Sequence, residues 1–179
     1  LEPFSLIINR EMTYWLIYAK QFEQALVQNK RDHELFPEDV GFHAVNATIY
    51  YAQGKYPQAY EEFFLSAKAN KNVTPENLQK AKEAYEKGGW DSFSKMVEEI
   101  LLANLEKKRA KSKDGYVRAI DYAFAYSFGN DRDRTIAYLQ KAYDERSHRL
   151  LQLKVDPRWE FLRDDPRFQA LIKKVGIPE

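Results

Sequence analysis

The chain repeats itself at a fixed interval. The segment YAKQFEQAL at 18–26 aligns with YAQGKYPQAY at 51–60, so Phe22 falls on Tyr56 and Ala25 on Ala59. One more interval leads to Trp90 and Phe93 in KGGWDSF. Gly54 and Gly88 keep the same spacing, as do Ala47 and Ala81, and Pro3 and Pro37. Few folds suit such a period. Each repeat has to be a supersecondary unit that cannot bury its apolar face alone and must stack on its neighbours. Between these marks runs long helical pattern broken by short turns, without the alternation of a half-buried strand. The expected fold class is therefore all-α.

The residues at fixed places within the period narrow this further. The second repeat carries Ala47 and Tyr50 in its first helix and Ala59 with Phe63 four positions on in its second. The first repeat keeps Leu16, Ala25 and Pro37, with Thr13 at the small-residue place and Asn29 at the aromatic one. A third, degenerate, shows Ala81, Trp90 and Phe93, and a fourth shows Ala123, Tyr126, Thr135, Leu139 and Ala142 after an insertion around KKRAKSKDGY. This pattern resembles the tetratricopeptide repeat (TPR) family, whose helix pairs follow W-x2-L-G-x2-Y, A-x3-F and P over about 34 residues. The resemblance implies a right-handed α-solenoid of antiparallel helix pairs. The expected repeats are roughly 5–38, 39–72, 73–110 and 115–146, closed by a C-terminal helical cap over 147–179. Small residues such as Ala47 and Ala59 are expected where paired helices cross closely. Tyr50, Tyr56 and Phe63 are expected between neighbouring pairs.

A narrower likeness rests on LEPFSLIINR at the start, GGWDSF in the middle and TIAYLQKAYDERSHRLLQLKVDPRWEFLRDDPRFQALIKKVGIP at the end. In that order they resemble the C-terminal TPR arrays of multidomain bacterial regulators. Such arrays are appended to winged-helix DNA-binding domains, Ser/Thr protein kinases or nucleotide cyclases. The likeness spans essentially the whole chain and is most specific in its doubled D-P-R segment. It implies a regulatory, interaction role without catalysis. The departures at Asn29, Asp32 and the third repeat set this chain apart from a regular array.

Composition removes several functions. Of 179 residues, 44% are hydrophobic and 31% charged, which is neither a disordered nor a membrane composition. No apolar run approaches the roughly 20 residues of a spanning helix, so no membrane segment is expected. The net charge of +1 arises from basic and acidic residues mixed along the chain, which argues against a nucleic-acid partner. With no cysteine, disulfides, thiol catalysis and Cys-ligated zinc are excluded. The chain begins at Leu1 without a Met and reads as a piece of a longer protein. The compartment stays open, with a soluble cytoplasmic domain preferred to a periplasmic one.

Residues able to do chemistry are sparse. His33, His43 and His148 have no metal-ligand partner at i+4 and no HExxH accompanies them. His33, between Asp32 and Glu34, is expected at the surface; His43 is expected to pack partly buried. Gly88 and Gly89 lack any phosphate-loop context and suit a turn requiring positive φ. Asp131 and Asp133 lack the Gly and distal Glu of an EF-hand, so Asp131 is expected to cap the next helix. Glu61–Glu62 and Glu98–Glu99 are helix neighbours that diverge rather than form an acid/base dyad. The lysines of 107–113 read as a solvated linker first and an acidic-partner contact second. No enzyme activity, cofactor or metal is expected.

The interaction surface is sharper. In a TPR the first helix of each repeat lines a concave face. That face would carry Ile7, Arg10, Tyr14, Ile17 and Tyr18, then Ala44, Val45, Thr48 and Tyr51. Leu78, Gln79, Lys82 and Tyr85 would follow, and then Ile120, Asp121, Phe124 and Phe128. Some TPRs clamp a C-terminal carboxylate, but Tyr14, Val45, Pro75 and Gln79 occupy the clamp places and only Arg10 fits it. The candidate groove is therefore Arg10, Tyr14, Tyr18, Tyr51, Lys82, Tyr85, Phe124 and Phe128. Its Tyr and Phe offer contact area at low entropic cost to a protein or peptide partner. The partner's identity is open, and self-association is the competing use.

The doubled segment at 154–176 has its own reading. Asp156-Pro157-Arg158-Trp159 returns as Asp165-Pro166-Arg167-Phe168. Asp before Pro is the chemistry of an N-cap followed by a first helical residue. Phe168, Leu171, Ile172 and Val175 then form one apolar stripe, with Trp159 and Leu162 a shorter version. Gly176 and Pro178 stop the helix. These stripes are expected to cover the end of the last repeat, with Arg158 and Arg167 in surface pairs.

Overall fold

The structure, a computed structural model, describes residues 5–71 and 73–177. Pro3 and Pro178, used above as period marker and helix stop, lie outside the described residues. Among the described residues all regular structure is helical and no strand is present. They divide into two compact units, Leu1–Lys82 and Glu83–Glu179.

The first unit contains α1 (Leu6–Tyr18), α2 (Phe22–Leu35), α3 (Phe42–Ala52), α4 (Tyr56–Ala69) and the start of α5 (Pro75–Lys111). α1 packs on α2, α2 on α3 and α3 on α4. Short turns make each of the pairs α1–α2 and α3–α4 an αα-hairpin. Both turns are built the same way. Lys20 N–H donates to the Ile17 carbonyl and Gln21 N–H to that of Leu16; at the matching places of the second hairpin, Gly54 donates to Tyr51 and Lys55 to Tyr50, all at 2.8 or 2.9 Å. Lys20 and Gly54 take positive φ, 59° and 71°, which completes a Schellman turn each time. Ala25, Ala47, Ala59 and Thr13 have no exposed surface, so small side chains occupy the tightest places. Ile17, Ala25, Val45 and Ile49 form the apolar centre, with Tyr14, Tyr18 and Phe22 packed around it.

The second unit takes the remainder of α5, α6 (Ala119–Phe128), α7 (Arg132–Asp144), two 3₁₀ helices (His148–Gln152 and Pro157–Leu162) and α8 (Pro166–Val175). The helical run of α5 is interrupted at Gly88 and Gly89. Of the two, Gly89 takes the positive φ (60°) expected of this turn, while a Cβ at Gly88 would sit 2.0 Å from Ser92 Oγ, a hydroxyl that would have to turn aside. α5 runs on to Lys111, so the lysines at 107–111 are helical rather than linker. The α6–α7 turn repeats the bonding of the first unit, with Asn130 at φ 54° donating to Ser127 and Asp131 N–H donating to Tyr126.

Both D-P-R segments start helices. Asp156 accepts the Arg158 N–H at 3.0 Å and Asp165 that of Arg167 at 2.9 Å, with proline at the first helical position each time. The first start opens a 3₁₀ helix and the second an α-helix. The second 3₁₀ helix packs on α6, and α8 packs on α7. Trp159, Leu162, Phe168, Leu171 and Ile172 share one buried cluster with Ala119, Ile120 and Ala123 of α6 and Ile136, Leu139 and Ala142 of α7. The stripes therefore cover this helix pair. Gly176, left-handed at φ 78°, ends α8.

Candidate functional site

The candidate groove residues divide between the two units. In the first, Arg10 on α1 is not available as a carboxylate clamp. Its guanidinium pairs with Asp39, ahead of α3. A Cβ at Gly41 would lie 2.7 Å from the same guanidinium, so the loop closes over the arginine. Tyr14 and Tyr18, both half-buried on α1, lie 6.2 Å apart, and Trp15 meets Tyr18 edge-on at 5.9 Å. Tyr51, half-buried on α3, lies 6.2 Å from Tyr56. Lys82 is exposed. Two neighbours assigned to this face point inward instead: Ile17 and Val45 are core residues.

In the second unit, Tyr85 is half-buried and meets Phe93 edge-on at 6.4 Å. Phe128 is half-buried. Phe124 is covered by the chain's own tail: Trp159 stacks on it at 5.2 Å, and the Arg158 guanidinium sits 4.3 Å from its centroid. Ile120, expected beside it on the concave face, is buried in the core. Another set of rings centres on Tyr138 of α7. Tyr126 and Tyr122 each stack on it, at 5.4 and 4.9 Å, with Arg134 over Tyr126 and Lys141 over Tyr138. Tyr122 donates to Glu106 at 2.7 Å; burial, and then that carboxylate, push its phenol up to about 12.

A buried polar seam crosses the first unit. Thr13 donates to Asp32 at 3.2 Å and Gln28 to the same carboxylate at 2.7 Å. Asn29 donates to the Asn46 side chain at 2.8 Å and to the Phe42 carbonyl at 3.0 Å. Asn46 in turn donates to Glu62, which meets His43 Nδ1 at 2.6 Å. Thr13, Asn29, Asp32 and Asn46 are all buried, so these bonds tie α1 to α2 and α2 through α3 to α4. Thr13, Asn29 and Asp32 are the places where the first repeat leaves the common pattern, and here they act as partners. That coincidence of departures was the signal in the sequence. Asn46 and Glu62 gave none.

The histidines differ from one another. His33, expected at the surface, is half-buried and stacks on Phe42 at 4.3 Å with its Nδ1 enclosed and unbonded; the stacking follows from the approach of α2 to α3. His43 is half-buried, as expected, and adds the Glu62 contact. Among the described residues, no three His, Asp or Glu side chains are grouped to hold a metal ion. Asp131 caps α7 by accepting the Arg134 N–H at 2.9 Å. Glu98 is buried, unlike its exposed neighbour Glu99, and burial raises its carboxyl above the usual range. Its carboxylate lies against Gly129, where a Cβ would come within 1.6 Å.

No family model, curated protein or solved structure matches the chain.

Proposed function

We propose that the chain is a TPR-like right-handed array that works as a non-catalytic protein–protein interaction scaffold, part of a bacterial regulator. Burial that follows the period supports the architecture. Thr13, Ala47 and Ala81 are all buried, and so are Ala25, Ala59 and Phe93, each set spaced by the interval of the repeat. The recurring left-handed turns at Lys20 and Gly54 support it as well.

The observation that carries the function is the placement of Tyr14, Tyr18 and Tyr51. They are half-buried on α1 and α3, the first helices of two successive hairpins. Half-buried tyrosines on successive first helices suit an amphipathic helix or an extended peptide with apolar anchors. Replacing Tyr14, Tyr51 and Tyr85 together by Ala is expected to weaken partner capture at least tenfold while the helical circular-dichroism signal persists. Unchanged capture by a folded triple variant contradicts the reading.

Self-association is the second reading, and α1 favours it. Ile8, Met12 and Trp15 follow one another at i, i+4 and i+7 with 42%, 53% and 61% of their surface exposed. Light scattering across a concentration series separates the two: a dimer that grows with concentration supports self-association, and a constant monomer supports the scaffold.

A further inference from the structure

We propose that a cavity at the C-terminal end of α5 binds a short acidic peptide segment. It is a concavity open to solvent, of about 550 Å³, lined by Asn104, Lys107, Lys108, Lys111, Ser112 and Tyr116. Because α5 stays helical to Lys111, Asn104, Lys107 or Lys108, and Lys111 recur one turn apart on one face. The chain then leaves the helix, and the half-exposed Tyr116 joins the lining.

The charges around it are unevenly used. Lys108 approaches Asp121 at 3.9 Å, and Arg109 approaches Glu106 at 3.7 Å. Asp114 accepts from the Ser112 hydroxyl at 2.5 Å and from the Tyr116 N–H at 3.0 Å. Glu145 faces Tyr116 and accepts the Ala119 N–H. Arg118 pairs with Asp121. Lys107 and Lys111 make no ion pair among the described residues, and they line the same concavity. Cations in the last turn suit the helix dipole, but the dipole accounts for neither the cavity nor the aromatic wall.

The balance of charge selects the ligand. Residues 107–113 hold five of the chain's 28 basic side chains and no acidic one; the rest carries 23 basic against 27 acidic side chains. A nucleic acid or an anionic membrane would extend beyond the patch, and this remainder offers no further basic surplus to hold it. A short acidic peptide needs no more than the basic patch: one or two of its residues occupy the concavity of about 550 Å³ and the others lie along the lysines. Its carboxylates would meet Lys107 and Lys111, its backbone the Asn104 amide, and its side-chain stems the Tyr116 ring and the lysine methylenes.

The test is fluorescence anisotropy on the full chain with a labelled Asp-Glu-Asp-Glu-Asp-Glu peptide. Its Asn/Gln counterpart, labelled dT6 and phosphatidylserine vesicles serve as competing probes. The Lys107→Gln/Lys111→Gln variant is compared with Lys68→Gln/Lys95→Gln, which removes the same charge elsewhere. The expected result is binding of the acidic peptide alone, weakened about tenfold or more in the first variant and nearly unchanged in the second. Equal loss in both variants, dT6 or vesicle binding as tight as the peptide's, or no peptide binding would each overturn the proposal. Tyr14, Tyr51 and Tyr85 take no part in this cavity, so a failed groove variant leaves this test standing, and the reverse.

Discussion

Asn46 shows what a single residue does in this chain. It bridges Asn29 and Glu62, so it links three helices through side-chain hydrogen bonds in the interior. Replacing it by Ala takes one hydrogen bond from the Asn29 amide, which keeps the Phe42 carbonyl, and one from the Glu62 carboxylate, which keeps His43; the buried loss costs about 1–3 kcal/mol. The loss is expected as a lower urea midpoint with an unchanged m-value. Gly129 is constrained by space alone, since its φ of −83° suits any residue. Gly129→Ala forces the Glu98 carboxylate aside, because the new Cβ would come within 1.6 Å of it. The group displaced is the far end of a flexible side chain, so the cost is expected to be modest, about 1 kcal/mol or less, below that of overpacking a rigid core. The cost is expected to shrink in a Glu98→Ala background, and a double-mutant cycle by denaturation reads the coupling. Neither constraint was open to inspection of the sequence. Thr13, Asn29 and Asp32 stood out as departures from the repeat, but pairing them needed the helices in place. Glu98 resembled any solvated helix glutamate.

At the scale of elements the doubled D-P-R is the best-read feature. Asp-Pro restricts the backbone locally, so its N-caps could be assigned from two adjacent residues. The apolar stripe of α8 could be assigned from its spacing in the same way. That the tail covers the last repeat was legible from its stripes; which ring it covers was not, because Phe124 meets residues 158 and 159 only once the chain has folded back. Asp165 also sets a pH response. Arg167, by its side-chain bond, holds the Asp165 carboxyl down at about 2. Its unfolded value is about 3.9. The folded state therefore keeps this contribution above about pH 4 and loses it as the pH falls toward 2. Asp165→Asn retains a capping side chain but removes the titration. The variant is expected to be less stable than the parent at pH 6, with the gap closing below pH 4. Thermal midpoints measured across that range check it.

For the whole molecule, the all-α class followed from the period and from the lack of alternation, and the described residues are all-α. The small-residue places were equally legible, since Ala47 and Ala59 are both fully buried. The direction each first helix faces was harder to read. Ile17 and Val45 belong to the core and Arg10 is held by Asp39, although all three fit the spacing of an open face. A period places residues on one side of a helix, but it does not say which neighbour takes that side. The proposed interaction scaffold therefore rests chiefly on Tyr14, Tyr18 and Tyr51. The most direct measurement puts a photoreactive phenylalanine analogue at Tyr51 and, as control, at the exposed Gln140, and compares covalent partner capture after illumination. The account expects a discrete cross-linked partner from position 51 and none from position 140. Equal capture at both positions, or none at position 51 from a folded protein, would contradict it.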